Sequence, residues 1–176
     1  MKMNILIAAI IGFILIMLND STTASNEILF TDWVTECNDT VLTKLDDRPV
    51  KDLLDDIISK NKGKVICIDC WATWCSPCLA EMSNSKTLMQ EFKGKDVAFV
   101  FLCLNSQEDV WRSTVDSLKI EGQHYFLSKK QSNDLRFLLK LQGIPYYILY
   151  NKDGAVLEQP TLRPSMMKEK IYKLIN

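Results

Sequence analysis

The sequence predicts an α/β fold, a central mixed β-sheet flanked by helices on both faces. Three observations carry that reading. Short apolar runs of strand length alternate with stretches of helical periodicity along most of the chain. Near the C-terminus two extended runs flank an Asp-Gly step, the mark of a hairpin and hence of antiparallel pairing. The chain has 176 residues, 47% of them hydrophobic, which suffices for one core and one domain around it.

The first 24 residues read as a targeting segment. Lys2 supplies a positive start, residues 5–18 form an unbroken apolar run, and residues 19–25 are small and polar. The run is shorter than the roughly 20 residues a membrane-spanning helix needs. It suits a signal peptide, with Thr22-Thr23-Ala24 as the cleavage site. An uncleaved N-terminal membrane anchor is the alternative. Either way the segment contacts a membrane at least transiently. The rest of the chain is expected to be exported, periplasmic or anchored on the outer side of the inner membrane.

Residues 25–48, with Trp33 and Cys37, read as an irregular or short-stranded extension, and the folded domain is expected over 49–176. Val50, Leu53, Leu54, Ile57 and Ile58 recur at helical spacing, which residues 60–63 end. Residues 65–70 form a buried strand. Residues 78–92 read as a helix with Met82, Leu88, Met89 and Phe92 inward and Gly94 closing it. Residues 97–104 give the strongest strand signal. A helix over 110–118, an extended stretch over 125–127 and a helix over 135–141 that stops at Gly143 follow. Strands over 146–150 and 155–158 flank Asn151-Lys152-Asp153-Gly154, and an amphipathic helix over 166–175 closes the chain.

With 21 basic and 22 acidic residues the formal charge is −1. No basic stripe is available to a nucleic acid, so that class of partner is excluded. Six cysteines are too few, in a chain this long, for a disulfide-stapled mini-domain. Four of them crowd into KVICIDCWATWCSPCLAE, spaced C-x2-C-x4-C-x2-C as Cys67, Cys70, Cys75 and Cys78.

Two C-x2-C pairs advertise a zinc site. Alternation along a strand argues against one here, because it sends Cys67 and Cys70 to opposite faces of the sheet. The one histidine, His124, adds little as a substitute ligand, and no metal is expected. Cys75-Ser76-Pro77-Cys78 is different, since it stands where a strand ends and a helix begins. A thiol there meets unpaired backbone N–H groups and the positive end of the helix dipole, which favour thiolate. Cys75 is therefore expected as an exposed nucleophile and Cys78, one turn in, as a buried resolving thiol. Pro77 fixes the first turn. A permanent staple is the rival, but so short a ring restrains the unfolded chain little.

The segment Asp69-Cys70-Trp71-Ala72-Thr73-Trp74-Cys75-Ser76-Pro77-Cys78 resembles the active-site segment of thioredoxins. Trp71-Ala72-Thr73-Trp74-Cys75, with Glu81 beyond it, resembles the exported TlpA/ResA-like branch. Gly143-Ile144-Pro145 and the strand after it resemble the family's cis-proline loop. The resemblance implies a thioredoxin-like fold with a cis Pro145 beside the reactive pair, the loop pairing with an incoming peptide. Pro145 stands 67 positions after Cys78, more than a plain thioredoxin uses. An extra strand–helix unit around residues 105–127, as in the TlpA-like branch, accounts for the difference.

The same resemblance implies roles. Asp69 falls at the buried carboxylate position, where it takes and returns the proton of Cys78. Trp74, Ser76, Pro77, Ile144 and Pro145 border the substrate, and Glu81, matching the branch's acidic residue, is a candidate modulator. If ionised near Cys75 its charge would oppose thiolate formation, while as a first-turn carboxylate it also suits the helix dipole. Tyr146 departs from the threonine common after the proline, which bears on substrate preference. Cys67, Cys70 and Cys103 fall in strand patterns as small apolar residues. The implied activity is a thiol–disulfide oxidoreductase acting as a protein-disulfide reductase, with no cofactor beyond the Cys75–Cys78 dithiol. The expected partners are disulfide-bonded proteins and a membrane thiol-electron transporter as donor, and the expected state is a monomer. A non-catalytic binding module on the same fold, or less readily a Cys-ligated zinc domain, is the alternative.

Overall fold

The computed structural model describes residues 40–44, 46–158 and 162–176. The backbone divides into two units, Met1–Thr31 and Asp32–Asn176, and every described residue belongs to the second. The segment read as a targeting signal, most of the expected extension and Cys37 lie outside the described residues.

Those residues form six strands and five helices: β1 (Thr40–Lys44), α1 (Val50–Lys60), β2 (Val65–Trp71), α2 (Ser76–Glu91), β3 (Val97–Cys103), α3 (Glu108–Leu118), β4 (Gly122–Phe126), α4 (Lys129–Leu138), β5 (Tyr146–Tyr150), β6 (Val156–Glu158) and α5 (Pro164–Ile175). The strands make one sheet in the order β1-β4-β3-β2-β5-β6. Pairings β1–β4, β4–β3 and β3–β2 are parallel, while β2–β5 and β5–β6 are antiparallel. The sheet is mixed, as expected.

Strand β2 shows how the sequence sorts the layers, because every residue in it is buried. Ile66, Ile68 and Cys70 pack with Leu53 and Ile57 of α1 and Leu135 of α4. On the opposite face Val65 and Cys67 meet Leu88 of α2 and Met167 and Ile171 of α5. Trp71 joins Met82 of α2 and Trp111 and Val115 of α3. Helices α1 and α4 thus cover one face, and α2, α3 and α5 the other. Each fully buried aliphatic or aromatic side chain contributes about 1.5–3 kcal/mol.

The largest departures from the sequence reading are the starts of three elements; the other elements shift by at most two residues. Strand β1 falls inside the segment set apart as an extension, yet it pairs along its length with β4 and belongs to the sheet. Its signal is weak because it is an edge strand whose residues are only partly buried. Helix α4 begins at Lys129, six residues before 135. The Ser128 hydroxyl accepts from the Gln131 N–H at 3.2 Å and the Gln131 side chain accepts from the Ser128 N–H at 3.0 Å, a reciprocal cap. Strand β4 begins at Gly122, whose φ is +109°. A Cβ there would lie 2.9 Å from the Phe99 carbonyl oxygen, so only glycine lets β4 start so close to β3.

Candidate active site

Strand β2 hands the chain to α2 through residues 72–75. Cys75 is the N-cap of α2, with φ −87° and ψ 91°, and its Sγ accepts from the Cys78 N–H at 3.2 Å. A sulfur thus takes the place that Ser or Asp usually fills at a helix start. Pro77 sits in the first turn, where its missing N–H has no intrahelical partner to lose. Cys75 and Cys78 form a disulfide, their Cα atoms 5.2 Å apart. The Ile144–Pro145 peptide is cis, and the Ile144 carbonyl oxygen lies 3.8 Å from Cys75 Sγ. The structure thereby brings together Cys75, Ser76, Pro77, Cys78 and the Ile144–Pro145 loop.

One expectation fails. Cys75 does not stand at an exposed tip, for it is 4% exposed against 1% for Cys78. In the disulfide its sulfur lies 3.8 Å from the Ile144 carbonyl oxygen, and Ile144 packs against the cluster formed by Cys75, Cys78, Trp71 and Met82. The difference between the two sulfurs is thus one of setting more than of exposure. Cys75 caps the helix, and Cys78 faces the core from its first turn.

Trp74 is 60% exposed, and its indole N–H donates to the Asn105 carbonyl at 2.8 Å. The turn that holds it is built after β3. Asn105 takes a left-handed φ of 45°, and its N–H donates to the Ser132 hydroxyl of α4 at 3.0 Å. The Thr73 N–H donates to the Ser106 hydroxyl at 3.1 Å. Asn105, Ser106 and Ser132 escape a sequence reading because they meet residues 73 and 74 only through tertiary folding.

The other described cysteines take no part in this pairing. Cys67, Cys70 and Cys103 are buried and form no disulfide. Burial pushes the Cys103 thiol up to about 11, with Ser106 and the Thr73 N–H partly opposing, and holds Cys67 and Cys70 higher still. Cys67 and Cys70 pack on opposite faces of the sheet, and Cys75 and Cys78 bond each other. The four sulfurs therefore do not converge on one point, and among the described residues no cluster suited to a metal forms. His124 is a core residue, stacked on Phe101 at 4.5 Å and 3.1 Å from the Ile120 carbonyl, and burial lowers its pKa to about 4.

Asp69 lies on the sheet face that α2 covers, the face toward which Cys78, Met82 and Ser85 of that helix point. It is 6% exposed, and neither carboxyl oxygen has a hydrogen-bond partner among the described residues. Burial, with a smaller contribution from the Glu81 charge, raises its pKa to about 8. It borders a cavity of about 20 Å³ with Ser85, Tyr147, Pro164 and Met167. Glu81 sits at the outer edge of this region, accepting from Arg163 at 2.7 Å and Asn84 at 3.0 Å. Those two donors hold its carboxyl below the ordinary range. Arg163 and Tyr147 are further residues that the sequence reading missed, since α5 and β5 reach this corner only once folded.

Comparison with known proteins agrees with this geometry. A thioredoxin-like family model matches residues 63–156. The thiol-disulfide oxidoreductase ResA of Oceanobacillus iheyensis is 28% identical over 57% of this chain and 51% of its own. The chain thus spans about half the length of the curated relatives it matches. Among solved structures, a Bacteroides vulgatus protein assigned as a thiol-disulfide oxidoreductase is 33% identical over 66% of this chain and 77% of that one, with a TM-score of 0.57. The thioredoxin domain of a second thiol-disulfide oxidoreductase from Bacteroides vulgatus, at 23% identity, covers 67% of this chain and 84% of that one. Its TM-score of 0.62 supports the fold alone. With the family model covering more than half its length, the chain belongs to the thioredoxin-like family.

Proposed function

We propose that the protein is an exported thiol–disulfide oxidoreductase that reduces disulfides in other proteins, of the ResA and TlpA-like kind. The observation that carries this reading is the Cys75–Cys78 disulfide at the start of α2, with the Ile144 carbonyl beside Cys75. The unit α3–β4 between β3 and α4 is read as the insertion of the TlpA-like branch.

In the reduced enzyme the Cys75 thiolate attacks one sulfur of a substrate disulfide. That bond breaks, one substrate thiolate leaves, and a mixed disulfide joins Cys75 to the other sulfur. Cys78 then passes its proton to the Asp69 carboxylate and attacks Cys75 Sγ. The second substrate thiolate leaves and the Cys75–Cys78 disulfide remains, so two electrons have passed to the substrate. Asp69 suits the proton step because its raised pKa brings it near operating pH. Trp74 and the Ile144–Pro145 loop flank the bound peptide. Outside the cytoplasm the surroundings are oxidising, so a membrane thiol-electron transporter recharges the dithiol. The N-terminal apolar segment supports export. Among the described residues no helix is long and apolar enough to cross a membrane.

The test is reduction of insulin by the pre-reduced protein. Activity is expected to vanish in Cys75→Ser and to persist in Cys67→Ser, while Cys78→Ser accumulates a mixed disulfide with substrate. Full activity in Cys75→Ser, or none in the parent protein, would overturn the reading.

A further inference from the structure

Asp69 and Tyr147 are direct partners across the antiparallel β2–β5 pairing, so their side chains rise from the same face of the sheet. Both are more than nine-tenths buried, Asp69 at 6% and Tyr147 at 4% exposure. Both border the same small cavity, with Cys67, Ser85 and Met167. The two Asp69 oxygens and the Tyr147 hydroxyl are all buried without a hydrogen-bond partner among the described residues. Leaving one such group unpaired is costly, and three unpaired groups around one cavity call for an explanation. The cavity, at about 20 Å³, has room for one water molecule.

The other charged groups at this site are few. Helix α2 brings Glu81, the segment before α5 brings Arg163, and these two bond each other at the surface. Strand β3 offers only Phe99 and Phe101 to the cavity, and Cys67 of β2 is held neutral by burial. No cation therefore faces Asp69 from the sheet. Tyr147 is itself pushed far above the ordinary phenol range by burial and by the Asp69 and Glu81 charges, so it keeps its proton and can act only as a donor toward an anion.

We propose that Tyr147 is a positioning residue for Asp69. Its hydroxyl donates to the Asp69 carboxylate once that group has lost its proton, directly or through one water molecule, and so sets the pH at which Asp69 can accept a proton from Cys78. The inference rests on the proton role of Asp69 proposed above. A phenol in this place supplies the stabilisation of the anion that a neighbouring cation would otherwise provide, without adding charge to the core.

The test follows the Asp69 side-chain carboxyl by carbon-13 NMR from pH 5 to 10 in the oxidised protein, where no turnover is involved. In Tyr147→Phe, which removes only the hydroxyl, the Asp69 midpoint is expected to move up by about one pH unit. An unchanged or lowered midpoint in a folded variant would overturn the proposal. In the parent protein, which needs no substitution, the Tyr147 ring carbon bearing oxygen is expected to shift with the same midpoint as Asp69. A flat Tyr147 signal would equally overturn it. Failure of the parent reading looks different: the Cys78 titration in the reduced protein would be the same in Asp69→Asn as in the parent, whatever Tyr147 does.

Discussion

The Trp74 indole is pinned by the carbonyl of Asn105, a residue held in left-handed backbone on the turn after β3. An exposed aromatic side chain beside the disulfide is thus aimed by a turn 31 residues away in sequence. Trp74→Ala should leave stability within about 0.5 kcal/mol, as for most surface changes. It should nevertheless lower kcat/KM for insulin reduction several-fold through KM, because a contact surface is lost while the sulfur chemistry is intact. At the turn, Asn105→Val should cost about 1–2 kcal/mol by forcing a β-branched residue into left-handed backbone, and Asn105→Gly should cost little. Urea unfolding of the three variants, alongside insulin kinetics, checks both statements.

Asp69 should make the oxidised protein less stable as pH rises. Its pKa is 3.8 in the ordinary case and about 8 in the fold. The folded chain therefore keeps a proton that the unfolded chain has released. The resulting stabilisation is complete below about pH 4 and is lost as pH climbs through about 8, at up to about 1.4 kcal/mol per unit. His124 acts in the other direction. Its pKa falls from 6.5 to about 4 in the fold, so stability is lost as pH drops across that range. The two slopes oppose each other between about pH 4 and 6.5, and from 6.5 to 8 the Asp69 slope dominates. The buried Cys67, Cys70 and Cys103 thiols, all raised from 9.0, add to it only above that window. Denaturant midpoints from pH 6.5 to 8 should thus fall in the parent protein and flatten in Asp69→Asn. Parallel curves would show that Asp69 has an ordinary pKa in the fold.

Glu81 and Arg163 form an adjustable charge at the edge of the Asp69 site. The Glu81 charge adds to the raising of the Asp69 pKa, and Arg163 pairs with that charge. Removing the charge in Glu81→Gln should lower the Asp69 midpoint by a fraction of a pH unit. Removing its partner in Arg163→Ala should raise the midpoint, and added salt should shrink both shifts. Carboxyl NMR titration at low and high ionic strength gives the answer. Stability should change by no more than about 1 kcal/mol in Arg163→Ala, since the arginine is more than half exposed.

Much of this arrangement could be read in the sequence, for identifiable reasons. Alternation along residues 65–70 correctly separated Cys67 from Cys70, because β2 is a regular central strand buried on both faces. The Cys75-Ser76-Pro77-Cys78 step was legible because a strand end, a helix start and a proline coincide there. The sequence starts helix α4 late because its first turn, Lys129-Lys130-Gln131, has no apolar periodicity. Ser128-x-x-Gln131 was nevertheless a capping signal in plain view. Burial of Cys75 was not legible, since Ile144, which packs against its cluster, lies 69 positions away in sequence. Tyr147 was invisible for a similar reason. Nothing local pairs residue 147 with residue 69, and only the β2–β5 register does so.

The proposed reaction gives unequal roles to two sulfurs that are almost equally buried in the disulfide. Rapid-quench alkylation of the freshly reduced protein with iodoacetamide at pH 7, read site by site by mass spectrometry, tests this most directly. Cys75 is expected to be modified at least about tenfold faster than Cys78, as a helix-capping thiolate beside a sheltered thiol. Equal rates, or faster modification of Cys78, would contradict it.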